Sequence, residues 1–178
     1  MRLLLHICCG PCALYPIKQL VARQFEKIVG YYYNPNIHPP SEYKRRKLAL
    51  QDAGKASGFE VVYPEYKMED YFRKIASYED SPDRCTLCWE LRRNKAADFA
   101  KENNFDSFTT TLLISPYQKH ELVKKIGKGI AREKGVGFYY EDFRKGFKES
   151  QSEAKEKELY RQKYCGCVFS ELERVKVK

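Results

Sequence analysis

The stretch RLLLHICCGPC, residues 2–12, decides the fold of this chain. The apolar run at 3–5 predicts a short buried strand, and Gly10 and Pro11 are residue types that form tight turns directly after it. Three thiols crowd that turn: Cys8, Cys9 and Cys12. A strand that ends in a thiol-rich turn indicates a chemical site at the carboxyl end of a sheet.

Further strand-like segments follow at intervals along the chain. They are short and rich in β-branched and aromatic residues, and they cover 28–33, 59–63, 107–114 and 136–140. Stretches with helical spacing or capping signals lie between them, at 14–28, 41–57, 115–133 and 150–162. The alternation predicts an α/β fold: a doubly wound, mostly parallel five-stranded sheet, Rossmann-like, with helices on both faces. Ligands of such sheets bind beyond the carboxyl ends of the strands, where the CCGPC turn falls.

The length of 178 residues, with 43% apolar and 32% charged residues, predicts an ordered globular protein. We expect residues 1–178 to form a single α/β domain, with 145–178 as a helical C-terminal extension that carries a Cys-Gly-Cys pair. No stretch predicts a membrane span or a signal peptide, so we expect a cytoplasmic protein with reduced thiols.

The use of cysteine favours metal binding or redox chemistry. The chain has seven cysteines, and an odd number in a reducing compartment argues against a disulfide framework. Cys85 and Cys88 form a C-x-x-C at the start of a helix predicted to reach residue 103, so both thiols lie on one face. Two thiols are too few for a metal site, and we expect the other ligands from the turn after the first strand.

Two groupings of these thiols remain open. Cys9 and Cys12, together with the C-x-x-C pair, suit tetrahedral zinc, although the pairs are much farther apart in sequence than in zinc ribbons. Alternatively, Cys8 and Cys9 join Cys85 and Cys88 around a 4Fe–4S cluster, whose larger span tolerates ligands from two loops.

Other residues near the thiols also have more than one interpretation. Cys165 and Cys167 flank one glycine, which suits either a labile disulfide or two metal ligands. His6 is a candidate ligand or proton donor, although a hydrogen-bonded core histidine is the commoner case. The sequence has no glycine-rich phosphate loop of the two standard types, so nothing in it predicts nucleotide-driven chemistry.

The charge of the chain suits a polyanionic partner. Lys and Arg number 33 against 24 Asp and Glu, which gives a net charge of +9. Four consecutive cations at 44–47 cannot all face the core. With nearby tyrosines, these cations favour phosphate contacts around a splayed-out base stacked on an aromatic ring, and the plain alternative is a solvated basic face.

Five motifs in a fixed order resemble the cobalamin-independent epoxyqueuosine reductase family, QueH. They are HICCGPC at 6–12, YYNPNIHPPSEYKRR at 32–46, CTLCWELR at 85–92, TTLLISPYQ at 110–118 and YCGC at 164–167. The resemblance implies an oxidoreductase that performs the last step of queuosine formation in tRNA. In that step a two-electron reduction removes the epoxide oxygen of epoxyqueuosine as water and gives queuosine.

The resemblance also implies the metal and redox residues. Carried over motif by motif, the ligands of the 4Fe–4S cluster are Cys8, Cys9, Cys85 and Cys88. The redox-active catalytic pair is Cys165 and Cys167. Cys12 has no firm role, and with His6 it is a candidate for a second metal or for support. The count of spare thiols is the basis of a hypothesis that an additional iron ion lies beside the cluster.

The expected partner is tRNA that bears epoxyqueuosine in its anticodon loop. We choose Arg45, Arg46 and Arg92 as the residues that contact this RNA. The reaction also needs an electron donor, which the sequence does not identify. A zinc-stabilised RNA-binding module without catalysis and a metal-free thiol–disulfide oxidoreductase that uses CGPC are the alternatives.

Overall fold

The computed structural model describes residues 1–55 and 58–176, and a parallel sheet runs through its centre. The strands are β1 (Arg2–His6), β2 (Lys27–Tyr31), β3 (Val61–Val62), β4 (Ser107–Thr110) and β5 (Gly137–Phe138). Their order is β3-β2-β1-β4-β5, and every neighbouring pair is parallel. The predicted α/β class with a five-stranded parallel sheet is confirmed.

Helices occupy most of the chain between and after the strands. Those in the described ranges are α1 (Gly10–Ala22), α2 (Pro40–Lys55), α3 (Met68–Ile75), α4 (Arg84–Glu102), α5 (His120–Lys134), α6 (Phe147–Glu156) and α7 (Val168–Lys176). Short 3-10 helices cover Thr111–Ile114 and Arg144–Gly146. In these described ranges no helix has the length and the apolar character needed to cross a bilayer.

Strand β1 supplies a core to each face of the sheet. Leu3 and Leu5 are fully buried in a cluster that includes Leu20 of α1 and Leu50 of α2. Leu4 points the other way and packs with the alanines of α4 at 96–100. Burial of each such side chain contributes about 1.5–3 kcal/mol, which explains why the central strand is a continuous apolar run.

The order of the strands reverses beside β1. The chain moves outward from β1 through β2 to β3, and it then returns to place β4 on the other side of β1. The segments that leave the carboxyl ends of β1 and β4 therefore diverge at the switch point. Those segments are the CCGPC turn and the 3-10 helix at Thr111–Ile114.

Two element boundaries near this point differ from the prediction. The strand predicted over 107–114 ends at Thr110, whose Oγ1 accepts a hydrogen bond from the Leu112 backbone N–H at 3.2 Å and starts the 3-10 helix. The helix predicted from 115 begins at His120 instead. The Ser115 hydroxyl accepts from the Tyr117 N–H at 3.3 Å and closes a turn, so 115–119 form a loop at the site.

Other helix boundaries also differ from the prediction, for local reasons. Helix α1 begins at Gly10 rather than at 14, because Pro11 occupies the first turn, where a missing N–H costs nothing. Helix α2 ends at Lys55, and residues 56 and 57 of the predicted helix lie outside the described residues. Helix α3 was not among the predicted helices, whereas α7 lies within the helical extension predicted at 145–178. Residues 177 and 178, the last two of the predicted extension at 145–178, also lie outside the residues that the structure describes.

Candidate active site

Three thiols lie together at the carboxyl end of β1. The sulfur atoms of Cys8, Cys9 and Cys12, which we call the N-terminal thiol set, are all within 4.8 Å of one another. Cys9 is the N-cap of α1. Gly10 allows α1 to approach α2, because a Cβ at this position would lie 2.9 Å from the backbone oxygen of Ala49.

Two side chains from other parts of the chain hold this set in place. Thr111 Oγ1 accepts a hydrogen bond from the Cys8 backbone N–H at 3.1 Å and donates to Cys8 Sγ at 3.3 Å. Gln162 Nε2 donates to Cys9 Sγ at 3.0 Å. Sequence reasoning missed both residues, since an isolated threonine or glutamine has no pattern that marks it as a partner of sulfur.

The N-terminal thiol set favours one thiolate. Hydrogen bonds from the Cys12 and Cys9 thiols hold the pKa of Cys8 well below its usual value. The pKa of Cys12 is raised well above its usual value, because its proton is shared with Cys8 and Cys9 and because the group is buried. The set therefore concentrates negative charge on Cys8, as a metal ligand requires.

The remaining thiols form a second group, on α4 and on the loop before α7. Cys88 and Cys167 are buried in one cluster with Tyr71 and Ile75. Burial, with a further contribution from the nearby Cys167, raises the pKa of the Tyr71 hydroxyl. Cys85 and Cys165 are exposed, and all seven cysteines of the chain are free thiols. The predicted cluster ligands are thus divided: Cys8 and Cys9 lie in the N-terminal thiol set, and Cys85 and Cys88 lie in this second group.

The loop that carries Cys165 and Cys167 is fastened by Arg46 of α2. The Arg46 guanidinium donates to the backbone oxygens of Cys165 at 2.8 Å and of Tyr164 at 3.1 Å. Its Nε donates to Glu42 at 2.8 Å, and the buried Glu42 carboxylate also accepts from the Tyr160 hydroxyl at 2.6 Å. Two contacts with His38 hold the same loop. The Tyr164 hydroxyl donates to the His38 oxygen, and the His38 N–H donates to the Gly166 oxygen at 2.8 Å. We call these contacts and those of Arg46 the Arg46 latch.

A cavity of about 510 Å³ opens between the two thiol groups. Its wall includes Cys8 and Cys12 from one group and Cys165 from the other. Polar and aromatic residues complete the lining, among them Arg46, Arg92, Tyr117, Gln118, Arg161 and Gln162. A space of this size accepts a nucleoside-sized ligand beside the sulfur atoms.

His6 is built into the sheet rather than directed into the cavity. Its Nε2 lies 3.1 Å from the Tyr33 oxygen and its Nδ1 lies 3.0 Å from Thr110 Oγ1, so both ring nitrogens are occupied. Burial and the nearby Arg92 lower its pKa to about 3, and the ring is neutral. The sequence suggests that His6 either binds a second metal or supports the site, and these contacts favour support.

The predicted RNA-binding arginines have different environments. Arg45 is on the surface, 57% exposed, and pairs with Glu42 at 2.9 Å. Arg46 and Arg92 are each 2% exposed and line the cavity instead. Their positions suit contact with a nucleotide inside the cavity, whereas Arg45 can meet a phosphate at the surface.

One aromatic side chain is placed to stack on a base. Tyr117 is 83% exposed at the cavity wall, where its ring packs edge-on against Phe147 at 5.8 Å between centroids. Other aromatic residues near the cationic segments in sequence are buried in the core: Tyr31, Tyr32, Tyr33, Tyr43 and Trp89. Trp89 contributes indirectly, since its Nε1 donates to Gln118 Oε1 at 3.1 Å and orients that amide at the cavity wall.

A second, shallow groove of about 530 Å³ lies on α5 and away from the thiols. It is strongly basic, with Lys124, Lys125, Lys128 and Arg132 on its wall. Phosphate groups are the natural ligands of such a surface, and no cysteine is among its lining residues.

Fold and site together define an α/β protein of Rossmann-like architecture, with a metal-competent thiol group at the switch point of its sheet. A family model described as epoxyqueuosine reductase QueH matches residues 3–173. The chain therefore belongs to the epoxyqueuosine reductase QueH family, which is a family of oxidoreductases. The resemblance seen in the five motifs is confirmed, and the non-catalytic zinc module loses its support.

Similar proteins of this family cover nearly the whole chain. The epoxyqueuosine reductase QueH of Dehalococcoides mccartyi is 40% identical over 174 residues, which are 97% of this chain and 94% of that protein. The protein of the same name from Thermotoga maritima is 37% identical over 179 residues, covering 96% of this chain and 91% of that protein.

A solved structure shows the same architecture. It is described as a predicted subunit of tRNA methyltransferase from Methanocaldococcus jannaschii, and the TM-score is 0.53. The alignment covers 88% of this chain and 77% of that chain at 10% sequence identity, so it supports the fold alone.

Proposed function

We propose that this epoxyqueuosine reductase acts on tRNA with a 4Fe–4S cluster held by Cys8, Cys9, Cys85 and Cys88. Cys165 and Cys167 serve as its redox-active pair. The observation that carries the proposal is the convergence of three thiols within 4.8 Å, two of which, Cys8 and Cys12, line a cavity that Cys165 also lines. Residues 1–178 act as one domain in the cytoplasm, and the extension at 145–178 supplies Cys165 at the cavity wall.

The donor set fits an iron–sulfur group. Thiolate sulfur is the ligand that such clusters use, and the lowered pKa of Cys8 favours its thiolate form. A cluster bound by all four proposed ligands draws on both thiol groups, and Arg92 lines the cavity together with one thiol of each group, Cys8 and Cys165. Cys12 is then the spare member of the N-terminal thiol set, available for an additional iron ion.

The chemistry consumes two electrons and two protons for each epoxide. Both C–O bonds break, the carbons become an alkene, and the oxygen leaves as water. An iron–sulfur cluster, when bound, supplies electrons one at a time. The residues of the chain position the substrate: Tyr117 offers a stacking surface, Gln118 offers an oriented amide, and the Cys165–Cys167 pair can store two electrons as a dithiol.

The partner is tRNA with epoxyqueuosine in the anticodon loop. Phosphate contacts supply much of the affinity, and the modified base that enters the cavity supplies specificity. Arg45 is the surface contact that we propose, and Arg46 and Arg92 face the nucleotide from the cavity wall. The electrons come from a donor that the chain does not identify.

The composition of protein purified without oxygen tests the cofactor. We expect about four iron and about four sulfide ions per chain, with an excess of iron if the additional ion is present. Single turnover of the reduced protein on tRNA containing epoxyqueuosine should give queuosine. About one zinc per chain with negligible sulfide, even after reconstitution, contradicts the proposal.

The salt dependence of tRNA binding tests the surface contact. Arg45→Glu should weaken binding and reduce the slope of log K against log salt by about one, because one phosphate contact is lost. Lys27→Glu is the matched control, since Lys27 is on the surface at the amino end of β2, at the opposite end of the sheet. Equal slopes for both variants remove Arg45 from the interface.

A further inference from the structure

Two neighbouring arginines on α4 are buried without a carboxylate partner. Arg92 is 2% exposed and Arg93 is 0% exposed. Ion pairs within 4 Å are absent for both, in the part of the chain that the structure describes. The carboxylate of Glu90, on the same helix, pairs with Lys74 at 3.6 Å instead. Two cations are therefore held in the interior without an ion pair to any carboxylate of the described residues, although Glu90 is near enough to favour the charged form of Arg93.

The hydrogen bonds of these arginines are also incomplete. Arg92 makes two long contacts to neutral groups, from Nε to the Cys88 oxygen at 3.4 Å and from Nη1 to Asn34 Oδ1 at 3.3 Å. Within residues 1–55 and 58–176, its Nη2 has no hydrogen-bond partner, and neither has any of the three guanidinium nitrogens of Arg93. A buried charged group in this condition is costly unless a compensating anion is part of the functional state.

Cysteine side chains from both thiol groups lie near Arg92. Cys88, Cys165 and Cys8 each stabilise its charged form, so the guanidinium lies in the field of both thiol groups at once. Arg92 also lines the cavity together with Cys8 and Cys165. Arg93 lies behind it, where burial lowers its pKa to about 9 and the nearby Cys88 opposes this effect. It remains a cation at neutral pH and adds to the positive field.

We propose that Arg92, supported by Arg93, is the built-in counter-charge of the thiolate-bound metal group at the switch point and sets its reduction potential. This inference rests on the proposed function, because it requires a cluster. A thiolate-ligated cluster is an anion, and its negative charge grows on reduction. A fixed, desolvated cation beside it stabilises the reduced form more than the oxidised form and raises the potential.

The test is the midpoint potential of the cluster in the holoprotein, measured by a redox titration followed by absorbance and electron paramagnetic resonance. Arg92→Gln should shift the midpoint to a more negative value, and Arg92→Lys should restore most of the shift because it keeps the charge. Arg93→Gln should shift it in the same direction by a smaller amount. The matched control is Lys95→Gln on the same helix, whose exposed side chain should leave the midpoint unchanged.

Iron and sulfide content of the unmodified protein separates this inference from the proposed function. If that protein holds no cluster, both are wrong. If it holds a cluster and Arg92→Gln has an unchanged midpoint, the proposed function stands and the counter-charge is overturned. Loss of the cluster in Arg92→Gln with retention in Arg92→Lys supports a requirement for charge. Loss in both variants assigns Arg92 a packing role and overturns the inference.

Discussion

The two thiol-bearing regions of the molecule are built in different ways. The N-terminal thiol set follows the central strand of the sheet, and its geometry comes from β1 and the first turn of α1. The Cys165–Cys167 loop lies between α6 and α7 without regular structure, and side chains of α2 fasten its backbone. The position of the N-terminal thiol set is therefore fixed by packing of the core, whereas the position of the Cys165–Cys167 loop depends on a few polar contacts. Substitutions should affect the two halves differently.

The largest effect is expected from removal of thiols. Cys8→Ala should lower iron retention by more than about tenfold and abolish turnover, because a cluster ligand is lost. Cys165→Ala should also abolish turnover but keep iron near the level of the unmodified protein, since the redox pair is not among the proposed ligands. Metal analysis and single-turnover assays check both. Loss of iron in Cys165→Ala would move that thiol into the ligand set.

The next largest effect is expected from the Arg46 latch. Arg46→Ala should lower the free energy of unfolding by about 3 kcal/mol, because Glu42 loses its buried partner and two loop carbonyls lose their donor. Urea denaturation measures this change. Lys44→Ala, an exposed position on the same helix, should stay within about 0.5 kcal/mol. A loss of similar size in both variants would show that the latch does not stabilise the fold.

Alanine substitutions of glycines test how closely the backbone is packed in the N-terminal thiol set and in the Cys165–Cys167 loop. Gly10→Ala should cost about 1–3 kcal/mol, since the new Cβ meets the rigid backbone of α2. Gly166→Ala, at φ +154°, meets the Asn36 side chain at 3.0 Å and should cost about 1 kcal/mol. Gly129→Ala in α5 has no atom within 4 Å and should stabilise the protein by about 0.5–1 kcal/mol. Thermal or urea unfolding gives the order, and a reversal of the first two would contradict the comparison.

The smallest expected effect is a pH dependence of the free energy of unfolding, which comes from Glu42 in the Arg46 latch. Burial would raise the pKa of Glu42, but hydrogen bonds from Tyr160 and Arg46 outweigh it and hold the pKa below its usual 4.5. The contribution of Glu42 to stability is therefore complete above pH 4.5 and is lost as the pH falls through the lower value of the folded state.

The variant Glu42→Gln tests this sign. It should be less stable than the unmodified protein at neutral pH, and the difference should shrink in acid, as measured by urea unfolding at a series of pH values. Glu69→Gln, at an exposed position, serves as the control. A difference that grows on acidification would contradict the assignment.

Local sequence patterns predicted much of the fold and part of the site. The β-branched segments and the apolar run at 3–5 predicted the strands, because a parallel sheet buried on both faces needs such runs. The sequence also predicted that Cys85 and Cys88, the C-x-x-C at the start of α4, lie on one face of the helix, because residues three apart do so. The start of α5 was predicted wrongly, because the hydroxyl of Ser115 closes a turn in a way that resembles a helix cap.

The amino-acid sequence by itself determined the α/β class, the position of the thiols at the end of β1 and, through its five motifs, the family. These depend on periodicity and on short contiguous segments. Only the tertiary structure decided that Arg46 fastens a loop, that Arg92 and Arg93 are buried without acidic partners, and that Thr111 and Gln162 bind cysteine sulfurs. Each of these contacts joins distant parts of the chain, and the burial of a charge depends on the packing around it rather than on its neighbours in sequence.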